Sequence, residues 1–299
     1  MTSTPNVIEA LLPDRMQVGE SPLWHAFEQA LYWVDIPAQR VHRWQTVSGQ
    51  HQSWQMPSDA ACIAPAARGG LVVAMRSGFA YLDTVSGEVS EIASAPYDTS
   101  RMRCNDGRCD AQGRFWVGTI YEPRDQAIAE MLCLERGQLR RVWSGGMTVA
   151  NGLAFSPNAD TLYQADTTTH IIRRYPFDLA SGQVGTAQVL RQFSMDKQNN
   201  YGGRPDGAAV DSEGNYWSAM FEGSRVICLS PEGELLREIA LPVRCPTMLC
   251  FGGADLKTLF ITSASQNRSA QELEEYPLSG CVLQVAVDVA GRIEPSYLD

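Results

Sequence analysis

The chain has 299 residues, 44% of them hydrophobic and 19% charged, a composition of soluble globular proteins rather than of disordered, collagen-like or membrane-spanning ones. Against 34 Asp and Glu stand 24 Lys and Arg, and the resulting charge of −10 argues against nucleic acid or an anionic lipid surface as a partner. No window approaches the roughly 18 apolar residues of a membrane helix and the start, MTSTPNVIEALLPDR, lacks a basic segment followed by an apolar one, so the expected location is cytoplasmic.

Short β-rich runs bounded by Gly, Asp, Asn and Ser recur along the chain, and long helical periodicity is hard to find. After an apolar stretch at 7–12, six units follow in order, each with a turn element leading into an apolar-aromatic run. The runs are Leu31-Tyr32-Trp33, Leu71-Val72-Val73, Phe115-Trp116-Val117, Leu162-Tyr163, Tyr216-Trp217 and Leu259-Phe260-Ile261, spaced by 40, 44, 47, 54 and 43 residues. A second short run completes each unit: 41–44, 79–82, 131–134, 171–175, 226–229 and 282–285. Units of this size hold four short strands, so the spacing predicts an all-β, six-bladed β-propeller with a central channel. The competing architectures are a β-sandwich and a two-domain all-β protein.

In this scheme 7–12 supplies the outer strand of the last blade and ties the chain ends together. No linker or charge block interrupts the units, which predicts a single domain over 1–299. The polar, Gly-rich insertion 195–204 (MDKQNNYGGR) is expected to cross one face, over a pocket. Trp24, Trp33, Trp116 and Trp217 follow the repeat and are expected between blades, and His25 is read as structural. The eight cysteines lack paired CxxC spacing and are expected as reduced, mostly buried thiols.

Four of the six units begin with a polar residue beside Gly or Pro: Glu20 in GESPLW, Asn105-Asp106 in RCNDGRCD, Asn151 in ANGLAF and Asp206 in RPDGAAVD. Asx-Gly pairs often do no more than make turns. Repeated at one point of the blade cycle, these side chains gather carboxylate and amide oxygens at one mouth of the channel. Such donors suit Ca²⁺, Mg²⁺ or Mn²⁺ and also accept Zn²⁺ or Fe²⁺.

GESPLW with LYWVDI, RCNDGRCDAQGRFWVGT, ANGLAFSPN, RPDGAAVDSEGNYW and LPVRCPTMLCFGG together resemble the signatures of the senescence marker protein/gluconolactonase/regucalcin family, over roughly 18–261. The resemblance implies a six-bladed propeller that hydrolyses lactones, mostly sugar lactones, with one divalent cation in the central channel. By that resemblance Glu20, Asn151 and Asp206 correspond to the metal ligands and Asp206 also to the general base. Arg103 and Asn105 correspond to the pair that contacts substrate hydroxyls, with Asn105 also a candidate to reach the metal or its water. Glu122 in GTIYEP is the nearest candidate for a further acidic substrate contact, although ungapped counting puts Pro123 there, and Tyr121 is an equal candidate to line the pocket.

The implied chemistry is polarisation of a lactone carbonyl by the cation, with Asp206 taking a proton from the attacking water and returning it to the ring oxygen. The product is an open-chain aldonic acid, in a sugar-oxidation route downstream of a dehydrogenase. Two other readings compete: an organophosphatase or aryl esterase on the same site, and a calcium-binding regulator without catalysis. Cys104 has no histidine near it in sequence to make it a nucleophile, the four histidines show no zinc spacing, and no phosphate-binding glycine motif is present. Acidic charge and blade edges are compatible with a monomer or a homodimer.

Overall fold

In a computed structural model, which describes residues 7–199 and 201–299, each apolar-aromatic run is the second strand of an antiparallel sheet. These strands are Ala30–Asp35, Leu71–Met75, Phe115–Tyr121, Thr161–Asp166, Tyr216–Phe221 and Thr258–Ser263. Six sheets among the described residues form a six-bladed β-propeller. Five blades have four strands, and the fourth has a fifth short strand, Gln183–Val184. The N-terminal strand Glu9–Ala10 pairs with Leu283–Ala286 as the outer strand of the sixth blade, which is the expected closure.

Strand alternation explains why blades stack. Successive side chains point to opposite sheet faces, so Tyr32 packs with Ile63 and Val73 of the second blade. Its neighbours Leu31 and Trp33 pack with Cys250 and Phe260 of the sixth. The same division recurs around the ring, with Trp116 between blades three and four and Trp217 between five and six. Trp24 stacks on Phe260 with ring centroids 5.7 Å apart. All eight cysteines are buried and unpaired. Among the described residues the one α-helix is Ala270–Glu275, and none is long and apolar enough to cross a membrane.

Two inner hairpins are fixed by one repeated device. In blade three, Asp110 Oδ1 accepts the backbone N–H groups of Gln112 and Arg114 at 2.9 and 3.1 Å, and Oδ2 accepts Trp116 Nε1 at 2.8 Å. In blade five, Asp211 accepts from Glu213, Asn215 and Trp217 in the same way. A buried carboxylate thus satisfies the turn and anchors the tryptophan that joins the next blade.

The inner strands run away from the mouth. At the far end, the segment after Ala286 crosses the lower face. Ser212 N donates to Ala290 O at 2.9 Å and Leu298 N to Gly113 O at 3.0 Å, while Ala67 N donates to Tyr297 O at 2.9 Å. Mid-channel, the buried Arg108 donates to Leu153 O at 2.9 Å and Ala208 O at 2.6 Å and pairs closely with Glu294 of this segment.

Candidate active site

Every inner strand breaks register with its neighbour near the mouth: between Glu20 and Leu23, Ala60 and Cys62, Cys104 and Gly107, Asn151 and Ala154, Pro205 and Ala208, and Pro246 and Leu249. A bulge re-aims the side chain beside it, and in five of the six blades the bulge brings one polar residue to the cavity. Glu20, Asn105, Asn151, Asp206 and Thr247 meet in this way around one cavity of about 510 Å³. No residue of the second blade's inner strand Ala60–Pro65 lines this cavity among the described residues. Local backbone accommodates the turn: Ser21 has φ 47° and Gly152 φ 62°. A Cβ at Gly152 would stand 2.2 Å from Tyr216 Oη and 3.2 Å from Asp206 O, so only glycine lets blades four and five approach this closely.

The polar side chains form a continuous chain across three blades. Arg103 Nη1 donates to Asn105 Oδ1 at 2.9 Å, Asn105 Nδ2 to Asn151 Oδ1 at 2.7 Å, and Asn151 Nδ2 to Asp206 Oδ1 at 2.5 Å. Asn151 Nδ2 also reaches Thr167 Oγ1 at 2.8 Å, and Thr167 donates to Pro205 O at 2.7 Å. Glu20 Oε2 accepts its neighbour's backbone N–H, from Ser21, at 2.9 Å.

Burial dominates the electrostatics. It pushes Asp206 up to about 8, helped by the nearby Asp106 and opposed by Arg204. It raises Glu20 well above the ordinary carboxylate value too, with Asp206 and Asp106 adding to the effect. Two adjacent carboxyls that resist ionisation store a demand for positive charge. Burial lowers Arg103 from its ordinary value, against the pull of Glu122.

The structure brings together Glu20, Arg103, Asn105, Asn151 and Asp206 on the cavity wall. Glu122 and Tyr121 lie off that wall. Glu122 is held in a bidentate pair by Arg76 at 2.8 and 2.9 Å, and its Oε1 stands 3.5 Å from Arg103 Nε. It therefore braces Arg103 from behind. Tyr121 is buried with its hydroxyl on Arg101, because strand alternation sends Ile120 toward the cavity instead. Asp106 points away from its neighbour Asn105, and its Oδ2 accepts Leu153 N at 2.8 Å. Cys104 is buried against Tyr97 Oη at 3.3 Å, and burial pushes its thiol up to about 12.

Sequence reasoning missed Thr247, which fills the same bulge slot in the sixth blade. Its Oγ1 donates to Gly19 O at 2.5 Å and thereby joins the last blade to the first. It also missed four basic side chains on the wall, Arg124, Lys197, Arg204 and Arg268. Arg204 stands two residues before Asp206, and that adjacency was the signal available.

Among the described residues no three His, Cys, Asp or Glu side chains cluster as a metal site. The channel mouth offers two carboxylates, Glu20 and Asp206, and the amide of Asn151. That donor set fits a hard divalent cation: all contacts are oxygen, and the amide oxygen keeps a second lone pair beyond the bond from Asn105.

Known proteins resemble this chain over nearly its whole length. Residues 18–265 match the model of the SMP-30/Gluconolactonase/LRE-like region. The chain is 47% identical to a Pseudomonas putida protein named 6-deoxy-6-sulfogluconolactonase, over 94% of each chain. It is 31% identical to regucalcin of Gallus gallus over 93% of each. A solved structure from Agrobacterium tumefaciens, described as a calcium-binding protein, regucalcin, superposes with TM-score 0.92 at 25% identity, covering 98% of both chains.

Proposed function

Because the chain belongs to the SMP-30/gluconolactonase/LRE-like family, we propose that it hydrolyses the ester bond of a sugar lactone to the open-chain aldonic acid at the mouth of its central channel. The observation that carries this reading is Asp206: a carboxyl pushed up to about 8, hydrogen-bonded to Asn151 and facing a polar cavity wide enough for a sugar. The Pseudomonas putida relative, named for a gluconolactone derivative, supports a gluconolactone-type ring.

Glu20, Asn151 and Asp206 would hold one divalent cation, and the calcium-binding regucalcin neighbour supports Ca²⁺ as a candidate beside Zn²⁺, Mn²⁺, Mg²⁺ and Fe²⁺. When bound, such an ion supplies Lewis-acid polarisation of the lactone carbonyl. Asp206 accepts the proton of the attacking water and returns it to the ring oxygen as the ester bond breaks.

Arg103 and Asn105 orient the sugar. Both Asn105 amide hydrogens are engaged, on Ala150 O and Asn151 Oδ1, so this residue meets a hydroxyl as an acceptor. Arg103 Nη1 is committed to Asn105 Oδ1 and Cys104 O, while Nη2 makes no hydrogen bond among the described residues and is the donor left for substrate. Glu122 acts through Arg103 as a positioning residue, and Tyr121 has no part in the site. The charged wall favours a polyhydroxylated substrate over an aryl ester.

The test is acid release from a panel of sugar lactones by metal-stripped protein, with each cation added back singly. Hydrolysis above the spontaneous rate that needs both a cation and Asp206 is the expected result. Equal rates with wild type and Asp206→Asn, or no rate with any cation, would remove the reading.

A further inference from the structure

The cavity wall reverses the sign of the protein. In a chain of charge −10, the described residues lining this cavity include five basic side chains and two acidic ones. Three of the basic groups, Lys197, Arg204 and Arg268, come from three separate segments and converge on one carboxylate, Glu222. Lys197 Nζ lies 3.1 Å from Glu222 Oε2, Arg204 Nη2 3.7 Å from the same oxygen, and Arg268 Nη1 3.5 Å from Oε1.

The two guanidinium groups are also placed by Phe221, with Arg204 Cζ 5.0 Å and Arg268 Cζ 6.0 Å from the ring centroid. Gly202 and Gly203 permit this arrangement. A Cβ on Gly203 would meet Gly223 Cα at 2.7 Å, so the loop lies directly on the turn that carries Glu222. Among the described residues, the buried Arg204 Nε makes no hydrogen bond.

We propose that Arg204, Arg268 and Lys197 form a subsite for a tetrahedral oxyanion, a sulfonate or a phosphate, carried by the sugar at the end remote from the lactone carbonyl. The inference rests on the lactonase reading and adds to it the class of substrate. Arg204 precedes Asp206 by two residues on one strand, about 7 Å in extended chain, so an anion on Arg204 and a carbonyl beside Asp206 suit opposite ends of one small sugar. Arginine's planar fork matches such an oxyanion with two parallel hydrogen bonds, and Lys197 adds a point charge at the rim. Glu222 holds the cations in place and competes with the ligand, which disfavours neutral or weakly charged rings.

The experiment compares kcat/KM for 6-phospho- and 6-sulfo-gluconolactone with that for unsubstituted gluconolactone, in wild type, Arg204→Gln and Lys197→Gln. In parallel, calorimetry measures binding of the open-chain products 6-phosphogluconate and gluconate. The wild type should favour at least one anionic lactone by about 10- to 100-fold, the worth of one charge-assisted hydrogen bond. That ratio should collapse toward one in Arg204→Gln, mostly through KM, and fall less in Lys197→Gln, whose exposed side chain makes misfolding no concern. A wild-type ratio near one, or a ratio that neither variant changes, overturns the proposal while lactonase activity stands. A protein inactive on every lactone would sink the lactonase reading instead. Product binding then decides alone: 6-phosphogluconate held no tighter than gluconate overturns the oxyanion subsite.

Discussion

Asn151 Nδ2 donates to Asp206 Oδ1 at 2.5 Å, joining the inner strands of two blades across 55 residues of sequence. The bond aligns the proposed base and fixes the amide of a neighbouring donor at the same time. Asn151→Asp would place a third carboxylate at the mouth and remove this donor. Divalent-cation affinity should then rise by about tenfold or more, since affinity of oxygen sites follows ligand charge, while the metal-free protein loses stability to like-charge repulsion. Calorimetric titration with Ca²⁺ and urea unfolding of the metal-free form read the two effects, and weaker Ca²⁺ binding would contradict the arrangement.

Stability of the metal-free protein should depend on Asp206 with a definite sign. Its folded pKa, about 8, lies above the ordinary carboxylate value of about 4, so the folded state binds the extra proton between these limits. That contribution is fully present below about pH 4 and is lost as pH rises toward 8. Urea midpoints at pH 5.5 and 8.5 should differ more in wild type than in Asp206→Asn. Cation binding should release protons below about pH 8 and release fewer above it, as titrations in buffers of different ionisation enthalpy will show.

The paired turn devices make a comparative prediction about stability. Asp110 also holds the buried Arg114 through Nε at 2.6 Å, whereas Asp211 holds Asn215 instead. Asp110→Ala strands a buried guanidinium and should cost about 3–5 kcal/mol. Asp211→Ala leaves only neutral donors unmet and should cost about 1–3 kcal/mol. Denaturant midpoints in the reverse order would show that the ion pair contributes nothing at this turn.

Thiol chemistry offers a simple check of the interior. Eight buried cysteines, with Cys104 pushed up to about 12, should react negligibly with Ellman's reagent in the folded protein and completely in denaturant. Rapid modification of even one thiol in the native state would place that side chain outside the core.

The six second strands and the four bulge residues Glu20, Asn105, Asn151 and Asp206 were readable in the sequence for one reason. Each sits at a fixed point of a repeat, and each of the four polar residues has Gly or Pro within two residues to permit the bend. Asp106 shows the limit of such reading, since adjacent residues in a bulged strand face opposite ways and only Asn105 turns to the cavity. Tyr121 and Glu122 fall at a strand end, where one residue of offset decides between wall and interior. Of the basic cluster, only Arg204, two residues before Asp206, left a signal in the sequence. The cluster depends on the folded course of the 195–204 segment and on a turn and a pre-helix segment that share no period with it. The C-terminal crossing is likewise aperiodic.

That crossing, with Arg108 and Glu294 paired beneath the polar residues, lies across the end of the channel opposite the mouth. With that end covered, the mouth is the route by which a lactone would enter and its product would leave. On the lactonase reading, an aldonate leaving that way would pass the same basic side chains, so accumulated product would compete with the next substrate.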